Sequence, residues 1–404
     1  MTSAQPSHPV LSICIPTFNR ARYLECLLQD LAEQIGKFGV SYELLIGDNC
    51  SQDNTEEIVA KYDQQLNLVY FRRHQNLGSS ENLNQLYRAA NGRYTIYLAD
   101  DDFLILDVVR DIILVMEESP NIGVTFAPWL IHDRISAKDI TKFYSVESDT
   151  VIARGDHAKL FKILIERHIF PEVYIARTEL RRAIDLPLCP SAYIFFTQAA
   201  LMVDRTSVLF AQMPFYRSIS KYFEDEERVQ AGNEEVKIGW DTYRGGLEYI
   251  LSRFYSQVSV KDLAKCRSAI DRFTAIRMSV GLRLRTAENR NFMDNYYLAA
   301  RLRSAGYDDL LPEPYELYRV NAALEYLLNL NPYLPQPTIL AYSANDPPLG
   351  LIYAHGFAKA PFQVIHDTST PMIEPTIFLT TNHTKSYSDR VTVINEADLL
   401  DLFP

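Results

Sequence analysis

The feature that most constrains this chain is an alternation of two rhythms in its first hundred residues. "VLSICIPTFNR", "YELLIGD", "LVYFRR" and "RYTIYLA" are short apolar runs rich in β-branched and aromatic residues, and each reads as a buried strand. Between them lie segments of helical period. "RARYLECLLQDLAEQI" sets Tyr23, Leu24, Leu27, Leu28, Leu31 and Ile35 on one face. "SQDNTEEIVAKY" opens with Asp53 or Asn54 as a cap and with Glu56 and Glu57 in the first turn, and a helix from about Leu83 to Ala90 follows "HQNLGSSEN". Strand and helix in alternation predict an α/β fold, a mostly parallel sheet with helices on both faces. In such sheets a ligand lies at the carboxyl ends of the strands, near the point where strand order reverses.

The loops at those ends are polar: Thr17 to Asn19, Asp48 to Asp53, Asn76 to Asn82, and Asp100 to Asp102. Any one of them taken alone reads more readily as helix caps and turn formers. The run Asp100-Asp101-Asp102 resists that reading, because three adjacent carboxylates need a cation, a hydrogen-bonding ligand or full solvation to stay ionised together. A hard divalent ion, Mn²⁺ or Mg²⁺, held by one or two carboxylates and the oxygens of a diphosphate meets the need. The other loops would then seat a nucleotide.

Composition narrows the possible partners. At 404 residues the chain exceeds one ordinary hydrophobic core, so at least two units are expected. A formal net charge of -11 argues against nucleic acid as a partner. Cys14, Cys26, Cys50, Cys189 and Cys266 are scattered, with no C-x-x-C pair, which fits a reducing cytoplasm. "MTSAQPSHPV" lacks the basic and apolar regions of a secretory signal, and no stretch approaches the roughly 18 apolar residues of a spanning helix. The expectation is a cytoplasmic protein, with the inner face of the membrane left open as its location.

"SICIPTFNR", "YELLIGDNCSQDNT", "NLGSSENLN" and "NGRYTIYLADDD", in this order over about residues 10 to 130, closely resemble the family 2 glycosyltransferases of the GT-A fold. The resemblance implies a nucleotide-sugar donor, with Pro16, Thr17, Asn19 and Asp48 at its base and ribose and with Asn49 and Ser51 as further candidates. It places Asn76, Gly78 and Asn82 in the segment beside the base and sugar. It implies Asp100 and Asp101 at the ribose or sugar, and Asp102 as the ligand of Mn²⁺ or Mg²⁺. The implied reaction is a metal-dependent, inverting transfer of the sugar to a glycan or lipid-linked glycan acceptor.

Members of this family carry the general base in a Glu-Asp pair that precedes a Pro-x-Tyr-Arg-like strand. Here "VLFAQMPFYRSIS" resembles that strand, with Pro214, Tyr216 and Arg217, but the place of the acidic pair is taken by Phe196 and Thr197. The candidate bases are therefore Glu172, Asp204, Glu224 and Asp225. Glu172 stands in an apolar run before a strand, where desolvation would raise its pKa, and pairing with Arg177 or Arg181 is its alternative. Asp204 also reads as a surface pair, and "FEDEER" as a solvated helical face.

The organisation expected is a glycosyltransferase domain over residues 1–239, with a donor half at 10–130 and an acceptor half at 131–239. A helical region at 240–334 and a small α/β domain at 335–404 follow. Cys266 to Arg285 mixes apolar residues with five arginines, the pattern of a helix packed with arginines at its rim or of a basic surface near anionic lipid. Peripheral membrane contact and homo-oligomerisation stay open. Two rival functions remain: a noncatalytic nucleotide-sugar or glycan binder on the same fold, and a nucleotidyltransferase. The latter should carry a glycine-rich loop after the first strand, and "IPTFNRARYL" has no glycine.

Overall fold

The computed structural model describes residues 8–184, 189–224, 231–288, 291–329, 339–342, 348–352, 354, 363–365, 376–381 and 391–404. The chain divides into two compact units, residues 1–230 with 241–273 and residues 231–240 with 274–404.

The first unit bears out the α/β expectation. Its strands are β1 (Leu11–Thr17), β2 (Tyr42–Asp48), β3 (Leu68–Arg72), β4 (Tyr94–Tyr97), β5 (Phe103–Leu104), β6 (Ile122–Phe126), β7 (Trp129–Asp133), β8 (Lys138–Lys142), β9 (Thr150–Ile152), β10 (Tyr174–Arg177), β11 (Ser207–Phe210) and β12 (Tyr216–Lys221). Its helices are α1 (Ala21–Gln34), α2 (Thr55–Tyr62), α3 (Ser79–Ala89), α4 (Leu106–Glu118), α5 (His157–Glu166), α6 (Thr178–Arg182) and α7 (Ile194–Arg205). After a second-unit helix, α8 (Ala231–Val236), come α9 (Trp240–Ser252) and α10 (Val260–Ala287). Helix α3 starts at Ser79, earlier than apolar periodicity predicts, because Gly78 adopts φ +81° and turns the chain directly into the helix.

Eight strands form the main sheet in the order β3-β2-β1-β4-β10-β6-β11-β9. β1 pairs in parallel with both β2 and β4, so the order reverses at β1, and Thr17 lies at that reversal. β10 runs antiparallel between β4 and β6. This places its first residues beside the last residues of β4. A second sheet, β5-β12-β7-β8, follows the acidic run directly, because β5 begins one residue after Asp102. Leu11, Ile13, Ile15, Leu24, Leu28 and Leu44 are fully buried between sheet and helices.

The second unit joins the C-terminal half of α10 to α11 (Phe292–Ser304), α12 (Tyr315–Asn329), α13 (Leu349–Ile352) and α14 (Glu396–Asp401). It adds an all-parallel sheet of β13 (Ile339–Tyr342), β14 (Gln363–Ile365), β15 (Thr376–Thr380) and β16 (Val391–Asn395), in the order β14-β13-β15-β16. The small α/β tail does not stand alone. Leu282, Tyr296 and Leu324 share a core with Leu351, Leu379 and Phe403. The Arg319 guanidinium donates to the carbonyls of Leu400 (2.9 Å) and Phe403 (2.6 Å). A tail near the lower size limit for independent folding thus gains its core from the helices.

In α10, Ile270, Phe273, Met278 and Leu282 are buried, and Arg285 pairs with Asp294. This is the packed helix with arginines at its rim, and it leaves those apolar residues unavailable to a lipid surface. Among the described residues no helix is long and apolar enough to cross a membrane.

Candidate nucleotide and acceptor site

The four polar loops meet at the carboxyl ends of β1, β2, β3 and β4 and are tied together by their own side chains. Thr17 is the joint. Its hydroxyl donates to Asp100 Oδ2 at 2.7 Å and its carbonyl accepts the Asn49 N–H at 2.9 Å, so one residue connects the loops after β1, β2 and β4. Asn19 sits at φ +54°, a conformation that asparagine tolerates better than most side chains. In it, the Asn19 N–H reaches Ser51 Oγ (2.9 Å) and its Oδ1 accepts from the Gln52 N–H (2.7 Å).

Asp48 is 1% exposed and accepts from the Ser51 N–H (2.8 Å) and the Tyr70 hydroxyl (2.6 Å). Burial first, then the bond to Asp48, push the Tyr70 hydroxyl above its ordinary pKa, so Tyr70 remains a donor. The Asn49 amide donates to Asn76 Oδ1 (2.7 Å) while its own oxygen accepts the Leu77 N–H (2.9 Å). Gly78 donates its N–H to Asn76 Oδ1 at 2.8 Å.

Asn82 is buried, its amide donating to the Gly47 carbonyl at 2.6 Å and its oxygen accepting from Arg73 Nε at 3.2 Å. A Cβ on Gly47 would meet Asn82 Oδ1 at 2.6 Å, which shows how closely α3 approaches β2. Thr17, Asp48, Asn49, Ser51 and Asn82 thus hold the shape of the cradle from within, whereas Phe18, Asn19, Asn76 and Gly78 are exposed on it. Pro16, the next-to-last residue of β1, is half-buried.

The acidic run is divided among different partners. Asp100 faces Arg20 Nε at 3.3 Å, and the same guanidinium donates to Asp101 Oδ2. Asp102 turns the other way, accepting the Ile219 N–H (2.9 Å) and the Tyr216 hydroxyl (3.0 Å). Tyr216 is itself fixed by the Ala99 N–H at 3.1 Å. Burial, then the Asp102 carboxylate, raise the Tyr216 hydroxyl well above the usual tyrosine range, so it can only donate to Asp102. All three aspartates are nearly buried.

Arg20 and Tyr216 were not among the candidates the sequence nominated. Their signals were present, Arg20 at the end of "PTFNR" and Tyr216 in the Pro-x-Tyr-Arg strand, but nothing in local pattern joins either to residues about 100 positions away.

Among the candidate bases, the structure brings Glu172 to this neighbourhood. Ile175 of β10 is paired with Ile96 of β4, and because the strands are antiparallel, the residues preceding β10 lie beside those following β4. The Tyr97 hydroxyl is raised in pKa by burial and then by Asp102, Asp100 and Glu172, so the three carboxylates act on one group. Glu172 accepts from the Tyr193 hydroxyl. The arginines proposed as its alternative partners are engaged elsewhere: Arg177 donates to the carbonyls of Met116 and Ile122, and Arg181 to that of Ile184.

Asp204 lies at the opposite, amino-terminal ends of the strands. Ser207, just beyond it, pairs with Ile122 at the start of β6, and Asp204 itself is bound by His157 Nε2 (2.8 Å) and Arg253. Glu224 is an exposed turn residue after Phe223, and Asp225 lies outside the described residues. Phe196, which stands where the family's acidic pair is expected, is fully buried against Phe170, Tyr193 and Phe273. Thr197 turns its hydroxyl to the Ile194 carbonyl at 2.8 Å. This part of α7 belongs to the core.

Among the described residues no group of three or more His, Cys, Asp or Glu side chains converges to hold a metal ion. The donor set fits an ion that arrives with oxygen ligands of its own. Each Asp102 oxygen accepts a hydrogen bond from an uncharged donor, the Tyr216 hydroxyl on one side and the Ile219 N–H on the other.

Residues 12–175 match the model of the family described as glycosyl transferase family 2. Abequosyltransferase RfbV of Salmonella typhimurium is 39% identical over 100 residues, which cover 24% of this chain and 30% of that protein. The poly(ribitol-phosphate) beta-N-acetylglucosaminyltransferase TarS of Staphylococcus aureus is 30% identical over 108 residues, covering 26% of this chain and 19% of that protein. The chain therefore spans less than a third of the length of either relative. A crystal structure of S. aureus TarS 1-349 in complex with UDP-GlcNAc superposes with a TM-score of 0.44 at 17% identity, covering 74% of this chain and 89% of that one.

Proposed function

We propose, from the premise that this chain belongs over residues 12–175 to glycosyl transferase family 2, that it transfers a sugar from a nucleotide-sugar donor to a hydroxyl of a glycan or lipid-linked glycan, with inversion. The observation that carries this reading is the bond from the Thr17 hydroxyl to Asp100 at the point where strand order reverses. It joins the polar ends of β1 and β4 into one cradle of the kind that α/β sheets use for nucleotides.

In this reading Asn19, Asn76 and Gly78 form the cradle's exposed surface for the base and ribose, with Asp48, Asn49, Ser51 and Asn82 fixing its shape. Asp100 and Asp101 face the ribose or sugar. Asp102 would hold Mn²⁺ or Mg²⁺ together with the donor's diphosphate. A bound ion there supplies Lewis-acid stabilisation of the leaving diphosphate.

Glu172 is the base. It takes the proton of the acceptor hydroxyl as that oxygen forms its bond to the anomeric carbon, while the bond from that carbon to the diphosphate oxygen breaks and its electron pair leaves with the diphosphate. Tyr193 holds the Glu172 carboxylate through its hydroxyl. Glu172 is partly buried, in an apolar run and close to Tyr97.

A noncatalytic donor binder is the second reading, favoured by the burial of Phe196 and by the turn of the Thr197 hydroxyl back onto its own helix where an acidic pair would otherwise stand. Calorimetric titration of UDP, GDP, CDP and TDP with Mn²⁺ into the wild type and Asp102→Ala tests the donor site. Binding of one nucleotide that is lost in the variant supports it, and no binding to any of the four in the wild type sinks it. Release of nucleoside diphosphate from the matching nucleotide sugars, dependent on added glycan, then separates transfer from binding alone.

A further inference from the structure

Arg20 immediately precedes α1 and is held on both sides. Its guanidinium lies 4.8 Å from the centre of the Tyr23 ring, and Tyr23 is packed edge-on against Tyr222 at 4.8 Å and beside Phe223 at 5.6 Å. On its other side it faces Asp100 Oδ1 at 3.3 Å through Nε and donates to Asp101 Oδ2. The Asp100 and Asp101 side chains are only 7% and 5% exposed, so solvent screens this interaction much less than it would a surface pair.

The second Asp100 oxygen is occupied by Thr17. Two of the three adjacent carboxylates are thus committed to bonds within the chain, and one fixed cation serves both.

We infer that Arg20 is the resident counter-ion of the acidic loop, a positioning residue that keeps Asp100 and Asp101 from ligating a divalent ion and so makes metal uptake conditional on the diphosphate. The inference rests on the donor-site reading given above. Its physical basis is competition for the same oxygens. A hydrated Mn²⁺ or Mg²⁺ entering alone would have to shed water and displace a charge-assisted hydrogen bond from Asp101 and an ion pair from Asp100, both nearly buried. A diphosphate changes both sides of that competition, bringing its own oxygens to the ion and offering the guanidinium a second anionic partner of matching geometry.

The test uses the whole chain and reads metal binding rather than turnover. Free Mn²⁺ is followed by electron paramagnetic resonance during titration of the wild type, Arg20→Gln, and Arg20→Gln combined with Asp101→Asn. Each titration is run without nucleotide and with the one among UDP, GDP, CDP and TDP that the wild type binds.

The wild type should bind Mn²⁺ at least ten-fold more tightly with nucleotide than without. Arg20→Gln should bind Mn²⁺ without nucleotide at least ten-fold more tightly than the wild type does, and Asp101→Asn should remove most of that gain. Circular dichroism melts establish that the variants fold, and the wild-type comparison stands even where they do not. Equal Mn²⁺ affinity of the wild type with and without nucleotide overturns the inference while leaving the donor site intact. So does a folded Arg20→Gln with no gain in nucleotide-free Mn²⁺ binding. Failure of the wild type to bind any of the four nucleotides with Mn²⁺ overturns the donor-site reading and this inference together.

Discussion

The Tyr216 hydroxyl accepts the Ala99 N–H at 3.1 Å and donates to Asp102 Oδ2 at 3.0 Å. A residue of the second sheet thereby sets the direction of a carboxylate that ends a loop of the first. Ile219, three residues further along β12, completes the hold on the other oxygen of Asp102.

Removing the hydroxyl in Tyr216→Phe leaves the Ala99 N–H without this acceptor and releases one side of Asp102. The expected cost is about 1–2 kcal/mol of stability, the range for an unmade buried hydrogen bond. Mn²⁺-dependent nucleotide affinity should fall by about ten-fold, an effect equivalent to about 1.4 kcal/mol. Chemical denaturation and calorimetry measure the two separately, and unchanged nucleotide affinity in a folded Tyr216→Phe would mean that Asp102 is not oriented by Tyr216 for binding.

Glu172 and Asp204 give a contrast between two carboxylates that sequence alone left as unresolved candidates for the base. Glu172→Gln should lose transfer by a factor of about 10² to 10⁴ with little change in nucleotide affinity, the signature of a lost general base. Asp204→Asn weakens contacts to His157 and Arg253 at the opposite ends of the strands and should lower stability by about 1 kcal/mol without that loss of transfer. Steady-state rates alongside thermal melts decide the matter, and equal losses of rate in the two variants would reject Glu172 as the base.

Phe196 is a core residue at the position where the family resemblance leads one to expect an acidic pair. Phe196→Ala should cost about 3–5 kcal/mol through the cavity it leaves among Phe170, Tyr193 and Phe273. Phe196→Glu should do worse, because it buries a charge where three aromatic rings now pack. If urea denaturation found Phe196→Glu as stable as the wild type, α7 could not be packed as described.

Asp30 on α1 carries a pH-dependent penalty. Burial, then the Glu33 charge, outweigh the Gln34 hydrogen bond and the lowering influence of Arg217, raising its carboxyl from 3.8 to about 6. Between these values the folded protein binds more protons than the unfolded chain, so stability falls as pH rises through this window. Asp30→Asn should therefore stabilise the protein by about 1 kcal/mol at pH 8, after discounting for partial exposure, and by about half as much at pH 5. Melting curves at the two pH values read the difference, and a gain that is larger at pH 5 would contradict the assigned shift.

The α/β class, the strand positions from Leu11 to Tyr97 and the four loops around Thr17, Asp48, Asn76 and Asp100 were determined by the sequence itself. Hydrophobic period and turn chemistry are local properties, and the carboxyl-end rule converts them into a site. The expected start of α3 was late because Gly78, in a left-handed conformation, begins the helix before apolar periodicity appears.

What the tertiary structure decided was how the acidic run is shared out. Arg20 takes Asp100 and Asp101 from 80 and 81 positions away, and Tyr216 and Ile219 take Asp102 from 114 and 117. Strand order separated the candidate bases as well, since β10 enters antiparallel beside β4 and brings Glu172 to the carboxyl ends, while Asp204 falls at the opposite ends of the strands. No local pattern encodes such meetings, because they depend on which strands become neighbours and in which direction they run. That choice is made by the packing of the whole sheet.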